Sequence, residues 1–407
     1  MLDFILKKFV PFGIARTLSL AAIPLFQIIV AVFCSKEEAG RFFIISTLAF
    51  IASQIGDLGV SRAFPVVFGE NDKATEESIA EINAVRWLTG AAAGLLFLLF
   101  DSFGPVKWTF ATGILAMAFC LGRVILLGNQ GFRHARQRYD LLLRGSWLHV
   151  VSVSIFFLVF AVYGKISAES AFGALTVGVW VELLSLDARN SHPGLRMSSQ
   201  LWGRALQIIY PYASLGVLVA IFNRSESFVS GKVLQPAELG IFGTLDAALK
   251  LCIWPSYLSA QTLFPAIRDA IEKKSSPQLA NALKKHLILS LPICFSAMLV
   301  SFLFWNLKFS QVNELDVAAA LLWLTILMAV PDAFLIPLYY SLRLEKAYRK
   351  LMFWLTILRL ATAISLGLKF GLIGLCLSYF AATLISILAL WLRLKKHLRS
   401  DLILADE

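Results

Sequence analysis

The chain has 407 residues, 58% of them hydrophobic and only 15% charged, with a formal net charge of +11. A soluble domain carries about a quarter of its residues as charges, and no soluble core absorbs a succession of apolar runs of about 20 residues, the length that crosses a hydrocarbon layer. The balance excludes an ordinary soluble enzyme and predicts an all-α integral membrane protein.

The first apolar run, 9–34, follows Lys7 and Lys8. It is too long for a signal-peptide core and leads directly into further apolar runs, so it reads as a retained helix. Further spans are predicted at 42–68, 84–103, 107–128, 141–163, 167–188, 205–223, 241–262, 286–307, 317–341, 351–369 and 371–393. That makes about twelve transmembrane helices. Backbone polar groups in lipid must be satisfied internally, and runs of this length are too long for barrel strands.

Most of the 37 Lys and Arg fall in alternate loops. The clusters are Arg133, Arg136 and Arg138; Arg189, Arg196 and Arg204; Lys273, Lys274, Lys284 and Lys285; Arg343, Lys346, Arg349 and Lys350; and finally Arg393, Lys395, Lys396 and Arg399. Cations beside spans stay cytoplasmic, which places both termini in the cytoplasm. The positive charge is therefore a topology signal with a secondary affinity for anionic lipid head groups. No nucleic-acid partner is needed to explain it.

A repeat appears at an offset of two hundred residues. Glu38, Gly40, Phe42, Phe64 and Pro65 align without a gap on Glu238, Gly240, Phe242, Phe264 and Pro265, and Phe172-Gly173 is echoed by Phe370-Gly371. Six spans per half is an even number, so the halves insert in the same orientation, a recurrent transporter architecture with the substrate site between lobes. The expected organisation is an N-terminal lobe 1–188, a polar cytoplasmic linker 189–204 and a C-terminal lobe 205–407.

Cys34, Cys120, Cys252, Cys294 and Cys376 lie in or at the ends of apolar runs. Their spacing suggests neither a disulfide framework nor a zinc site. His149 is a lone histidine in helix 5, read as a packed polar residue, while His134, His192, His286 and His397 fall in or near cytoplasmic loops without metal-ligand spacing. Neither a metal nor a cofactor is expected.

The chain resembles the multidrug/oligosaccharidyl-lipid/polysaccharide (MOP) exporter superfamily, and within it the Wzx-type O-antigen and polysaccharide flippases. The residues that carry the likeness are GIARTLSLAAIP from Gly13, EEAGRFFIIST from Glu37, PAELGIFGTLDAALKL from Pro236, LFPAIRDAIEK from Leu263 and KFGLIGLCLSYFAATLISIL from Lys369. The resemblance spans nearly the full length. It implies two six-helix lobes in a V around a central cavity, in the inner membrane of a bacterium. It further implies movement of a lipid-linked oligosaccharide on a polyprenyl pyrophosphate from the cytoplasmic to the outer leaflet, with polymerase and assembly proteins as partners. Relatives often carry an acidic-basic pair at the outer end of helix 7, where this chain has Asn223-Arg224-Ser225-Glu226.

Ionisable groups inside spans are costly and usually face a cavity or a partner. Arg16, Arg62 and Arg123 lie toward the cytoplasmic ends of three first-lobe spans, and Lys250 and Arg359 lie deeper in the second. Guanidinium forks match phosphate oxygens, so these cations are candidate ligands for a pyrophosphate. The competing reading is that they snorkel to head groups, as expected of Arg86 and Arg144 at span edges. Asp57, Glu182, Asp246 and Asp332 are either ion-coupling carboxylates or counter-ions; Asp246 lies one helical turn before Lys250 and pairs with it within one helix. Pro24 is the expected hinge among several span prolines. Two other functions remain open: a proton- or sodium-coupled multidrug antiporter of the same superfamily, and a membrane glycosyltransferase or polymerase. The loops are short and hold no nucleotide or metal motif, so an enzyme is not expected.

Overall fold

The computed structural model describes residues 23–61, 75–99, 109–135, 139–164, 166–186, 213–309, 313–342 and 344–402. All the regular elements within them are helices. They are α1 (Ile23–Phe33), α2 (Lys36–Gly56), α3 (Thr75–Leu99), α4 (Phe110–Ala135), α5 (Tyr139–Val162), α6 (Ala168–Ser185), α7 (Ala213–Phe222), α8 (Ser225–Val233), α9 (Pro236–Glu272), α10 (Ser276–Phe309), α11 (Asn313–Ser341) and α12 (Glu345–Leu402). Six of the helices are long and apolar enough to cross a membrane, and the composition makes the chain a multi-pass membrane protein.

The apolar part of α12, Lys346–Lys395, runs for 50 residues. As one straight helix it would measure about 75 Å, more than twice the hydrocarbon thickness of about 30 Å. It is broken at Gly371, whose φ of 56° and ψ of −128° leave the helical region. Glycine reaches that φ without a Cβ clash. Beyond the break the chain turns back on itself: a Cβ on Gly374 would overlap the Leu366 carbonyl, and Thr362 Oγ1 lies 3.2 Å from Ser378 Oγ. The spans expected at 351–369 and 371–393 are the two arms of this element.

The chain divides into two compact units, 1–243 and 244–407. The expected linker at 189–204 lies outside the described residues. In the first unit α2 is the central helix, buried along most of its length and packed on α3, α4, α6 and α8. Ser35 caps it, its side chain accepting from the Glu38 N–H at 3.2 Å. The Glu38 carboxylate then accepts from the Ala168 N–H at 2.7 Å, at the start of α6, where Ser167 and Ser170 form a capping box. One acid thus ties two helix N-termini together, where a negative charge also opposes the helix dipole.

Lipid tails are as apolar as leucine, so helices in a membrane associate through close packing rather than through escape from water. Gly90 lies against Leu121 and Gly94 against Met117, which lets α3 and α4 approach. A close approach joins the two copies of the repeat. A Cβ on Gly40 would overlap the Pro236 carbonyl, and a Cβ on Gly240 would overlap the Lys36 carbonyl. Both contacts pair equivalent positions two hundred residues apart, so the starts of α2 and α9 cross reciprocally. The Phe43 and Phe242 rings meet edge-on beside the crossing, centroids 5.9 Å apart. Gly216 of α7 lies against Gly59, and α8 packs on α2. These contacts hold α7, α8 and the beginning of α9 in the first unit.

In the second unit α11 packs on α12 and α10 on α11. His286, expected near a cytoplasmic loop, is instead fully buried within α10. Its Nδ1 lies 3.1 Å from Ser259 Oγ of α9 and its Nε2 2.9 Å from the Val330 carbonyl of α11. One imidazole satisfies groups on both neighbours, which explains its burial.

Candidate functional site

The first unit gathers a cluster of buried charges where α2, α3, α4, α5 and α6 meet. Asp57 lies at the C-terminal cap of α2. Its Oδ2 accepts from the Ser61 hydroxyl at 2.7 Å and from the Ser61 N–H at 3.3 Å. Its Oδ1 accepts from Arg86 Nη2 of α3 at 3.1 Å. Arg86 Nη1 donates in turn to the Ile125 carbonyl of α4 at 3.2 Å. A Cβ on Gly128 would overlap this guanidinium. Arg86 therefore does not snorkel, being 1% exposed: Asp57 supplies its counter-charge and Gly128 its room. Arg144 is exposed.

Arg123 of α4 is 2% exposed. Its guanidinium carbon sits 5.3 Å from the centre of the Phe50 ring, and that of Arg224 sits 5.3 Å from the same ring. Two guanidinium groups sharing one ring repel each other and are each drawn to the ring quadrupole. Arg123 Nε and Nη1 have no hydrogen-bond partner among the described residues. Its strongest favourable electrostatic neighbour is Glu182, followed by Asp57, with Arg224 opposing. Buried donors without partners are uncommon and costly. Here they make an arginine with hydrogen-bonding capacity to spare.

Glu182 of α6 is 1% exposed and His149 of α5 is 3% exposed. Glu182 Oε1 accepts from Gln130 Nε2 of α4 at 2.7 Å. His149 Nδ1 lies 3.0 Å from Glu182 Oε2, close enough for an ion pair but off the line of a hydrogen bond. Gly178 faces the imidazole from α6.

The second unit holds a different arrangement. Lys250 and Asp246 form a close ion pair within α9. Tyr257 of α9 donates its hydroxyl to Asp332 Oδ2 of α11 at 2.9 Å. Arg359 lies over Tyr379, its guanidinium carbon 4.4 Å from the ring centre, with Asp332 as a favourable electrostatic neighbour. Tyr339 and Tyr340 pack on Tyr348 beside this group.

Of the cations picked out in the sequence, Arg123 and Arg359 are buried and Lys250 is half-buried, and Arg16 and Arg62 lie outside the described residues. Asp57, Glu182, Asp246 and Asp332 are all buried or half-buried beside a cation or a hydrogen-bond donor. Pro24 is buried at the start of the described part of α1. Sequence reasoning missed Arg86, Gln130, Arg224, Tyr257 and Tyr379, and read His149 only as a packing residue. The signal for Arg224 was present in the polar stretch Asn223–Glu226, where Glu226 is fully buried.

No protein-family model and no curated protein matches this sequence. Solved structures do. The lipid II flippase MurJ, in an inward closed conformation, superposes with a TM-score of 0.71 at 15% identity, covering 94% of this chain and 87% of that one. An inward-facing multidrug resistance MATE family transporter of the MOP superfamily gives 0.60 at 15% identity, covering 97% of each chain. The chain shares the fold of these two structures. A eukaryotic MATE transporter, AtDTX14, gives 0.62 at 15% identity over 97% of this chain and 96% of that one. The MOP fold agrees with the all-α, two-lobe repeat expected from the sequence. At this identity the likeness speaks for the fold alone, and the chemistry rests on the residues just described.

Proposed function

We propose that this MOP-fold protein is a flippase that moves a lipid-linked oligosaccharide, carried on a polyprenyl pyrophosphate, from the cytoplasmic to the outer leaflet by alternating access. The observation that supports it most is Arg123: a fully buried guanidinium with two unspent donors, set beside a second arginine on a shared aromatic ring. A compact polyanion answers both needs at once, supplying counter-charge and acceptors. Arg16 and Arg62 add to the same lobe's positive field, and Lys250 and Arg359 are the second lobe's share. The two six-helix lobes, 1–188 and 205–407 around the 189–204 linker, expose the head group to one side and then the other, with Pro24 as a hinge. The lipid tail stays in the bilayer. No covalent chemistry is needed, only a difference in ligand affinity between two states. In a bacterial inner membrane, with both termini cytoplasmic, such a chain works beside a polysaccharide polymerase and assembly proteins.

The test is deletion of the gene followed by analysis of lipid-linked intermediates in the cytoplasmic leaflet. Intermediates accumulate, and the wild-type chain but not Arg123→Ala restores their normal level. No accumulation, in cells shown to hold no second flippase, sinks the proposal. The second reading is a cation-coupled multidrug antiporter, favoured by the buried Glu182 and the half-buried Asp332 and by the likeness to MATE folds. Uptake of a cationic dye into everted vesicles, dependent on Glu182 or Asp332, would favour it over flipping.

A further inference from the structure

In the first-unit cluster Asp57 and Glu182 differ in what engages their charge. Asp57 is engaged by Arg86 and Ser61. Glu182 is the leading electrostatic counterpart of Arg123, yet its second oxygen lies 3.0 Å from His149. The same carboxylate therefore faces two basic groups, one permanently charged and one that gains its charge by taking a proton.

We propose that His149 and Glu182 form a proton site whose occupancy sets the charge available on Arg123 to an anion. With the pair unprotonated, Glu182 offsets Arg123, and a second anion near that guanidinium meets a neutralised partner. With one proton added to the pair, Glu182 is offset locally, and the positive charge of Arg123 is left for a ligand. Proton and anion then bind together, each favouring the other by the same factor, as linkage requires. The bound proton also lowers by one the net charge that crosses the bilayer with a polyanionic head group, which is worth having where charge burial is costly.

Among the described residues, a further buried cation near the pair is Arg133, one turn beyond Gln130 on α4, which donates to the Leu186 carbonyl at the end of α6 at 3.0 Å. α6 presents Glu182 and Gly178; α4 presents Gln130, with Arg123 two turns earlier on the same helix; α1 presents Phe26 and Phe33 to Phe157 of α5. Arg144, on α5 itself, is exposed. His149 Nε2 has no hydrogen-bond partner among the described residues, as is true of Arg123 Nε and Nη1. Gln130 fixes the other oxygen of Glu182 at 2.7 Å and so holds the carboxylate toward the imidazole. Histidine is the side chain whose charge ordinarily changes within the range of about pH 5 to 8. A purely structural histidine–glutamate contact would leave the affinity of a neighbouring arginine unchanged across that range.

The inference rests on the anion-binding reading of Arg123, and the experiment separates the two. Full-length protein in lipid nanodiscs is titrated calorimetrically with sulfate, a tetrahedral dianion that does not itself titrate between about pH 5 and 8. In the wild type, sulfate affinity rises as pH falls, by up to about tenfold per pH unit if one proton accompanies each anion. His149→Gln and Glu182→Gln keep binding but lose the slope, Glu182→Gln being tight throughout. Either variant suffices should the other fail to fold. Arg123→Ala abolishes binding at every pH. A wild-type slope retained in both His149→Gln and Glu182→Gln, or a flat wild-type profile, overturns the proton site while leaving the anion reading intact. No sulfate binding by the wild type, or unchanged binding by Arg123→Ala, overturns the anion reading and this inference with it. Displacement of sulfate by polyprenyl pyrophosphate doped into the disc assigns the site to a lipid head group. Displacement by soluble pyrophosphate alone assigns it to a free anion, with the proton link standing in both cases.

Discussion

The two units solve the same problem, charge buried among apolar helices, in different ways. In the second unit the deep cations have a companion of their own: Lys250 has Asp246 one turn away, and Arg359 lies on Tyr379 near an acid that Tyr257 already steadies. In the first unit one arginine is bonded directly to a carboxylate and another lies on an aromatic ring. Arg86 has Asp57, the Ile125 carbonyl and a space left by Gly128. Arg123 has an aromatic face, an acid shared with a histidine, and two idle donors. Neighbouring helices thus hold both a structural arginine and a candidate ligand-binding one. Depth in the membrane does not distinguish them; a direct bond to a carboxylate does.

The contrast is broken most severely by removing a structural partner. Asp57→Ala leaves Arg86 as an uncompensated buried charge, at a cost of about 3–5 kcal/mol, seen as a large drop in the thermal melting of the detergent-solubilised protein. The double variant Asp57→Ala with Arg86→Met recovers much of that loss if the pair is only structural. Arg123→Ala removes a charge that lacks full compensation, so it leaves melting near the wild-type value while abolishing flipping. A melting loss as large as that of Asp57→Ala would place Arg123 among the structural arginines.

Smaller effects sharpen the same division. Tyr257→Phe takes one donor from the buried Asp332 and costs about 1–3 kcal/mol, measured by chemical or thermal unfolding. Arg268 and Glu272 pair at 2.8 Å on an exposed turn of α9, where the hydrogen bond that Arg268 donates to Glu272 raises the arginine above its ordinary range. Water screens that contact, so Arg268→Ala leaves melting unchanged within error. At the repeat crossing, Gly240→Val forces side-chain atoms onto the Lys36 carbonyl. It lowers the folded yield on size exclusion, and Gly40→Val does the same because the two contacts are reciprocal.

Much of this was legible in advance for a simple reason: the bilayer demands long apolar runs and excludes charges, so both stand out in a sequence. Phe370-Gly371 marked the break in α12, and Glu38 and Gly40 with their counterparts marked the repeat. The facing of the charges was not legible. A helix apolar around its whole circumference has no polar side from which to read an orientation, so Arg86 looked like an edge residue and His286 like a loop neighbour. Both are buried because helices distant in sequence bring them a carboxylate, a carbonyl or a hydroxyl.

By itself the sequence determined that this chain lives in a membrane and does so as long apolar helices, since both follow from the local cost of placing each residue in hydrocarbon. Which arginine meets a carboxylate directly and which lies on an aromatic face was decided only by tertiary structure. That distinction depends on Asp57, Phe50, Gly128, His149 and Glu182, which helix packing gathers from separate parts of the chain.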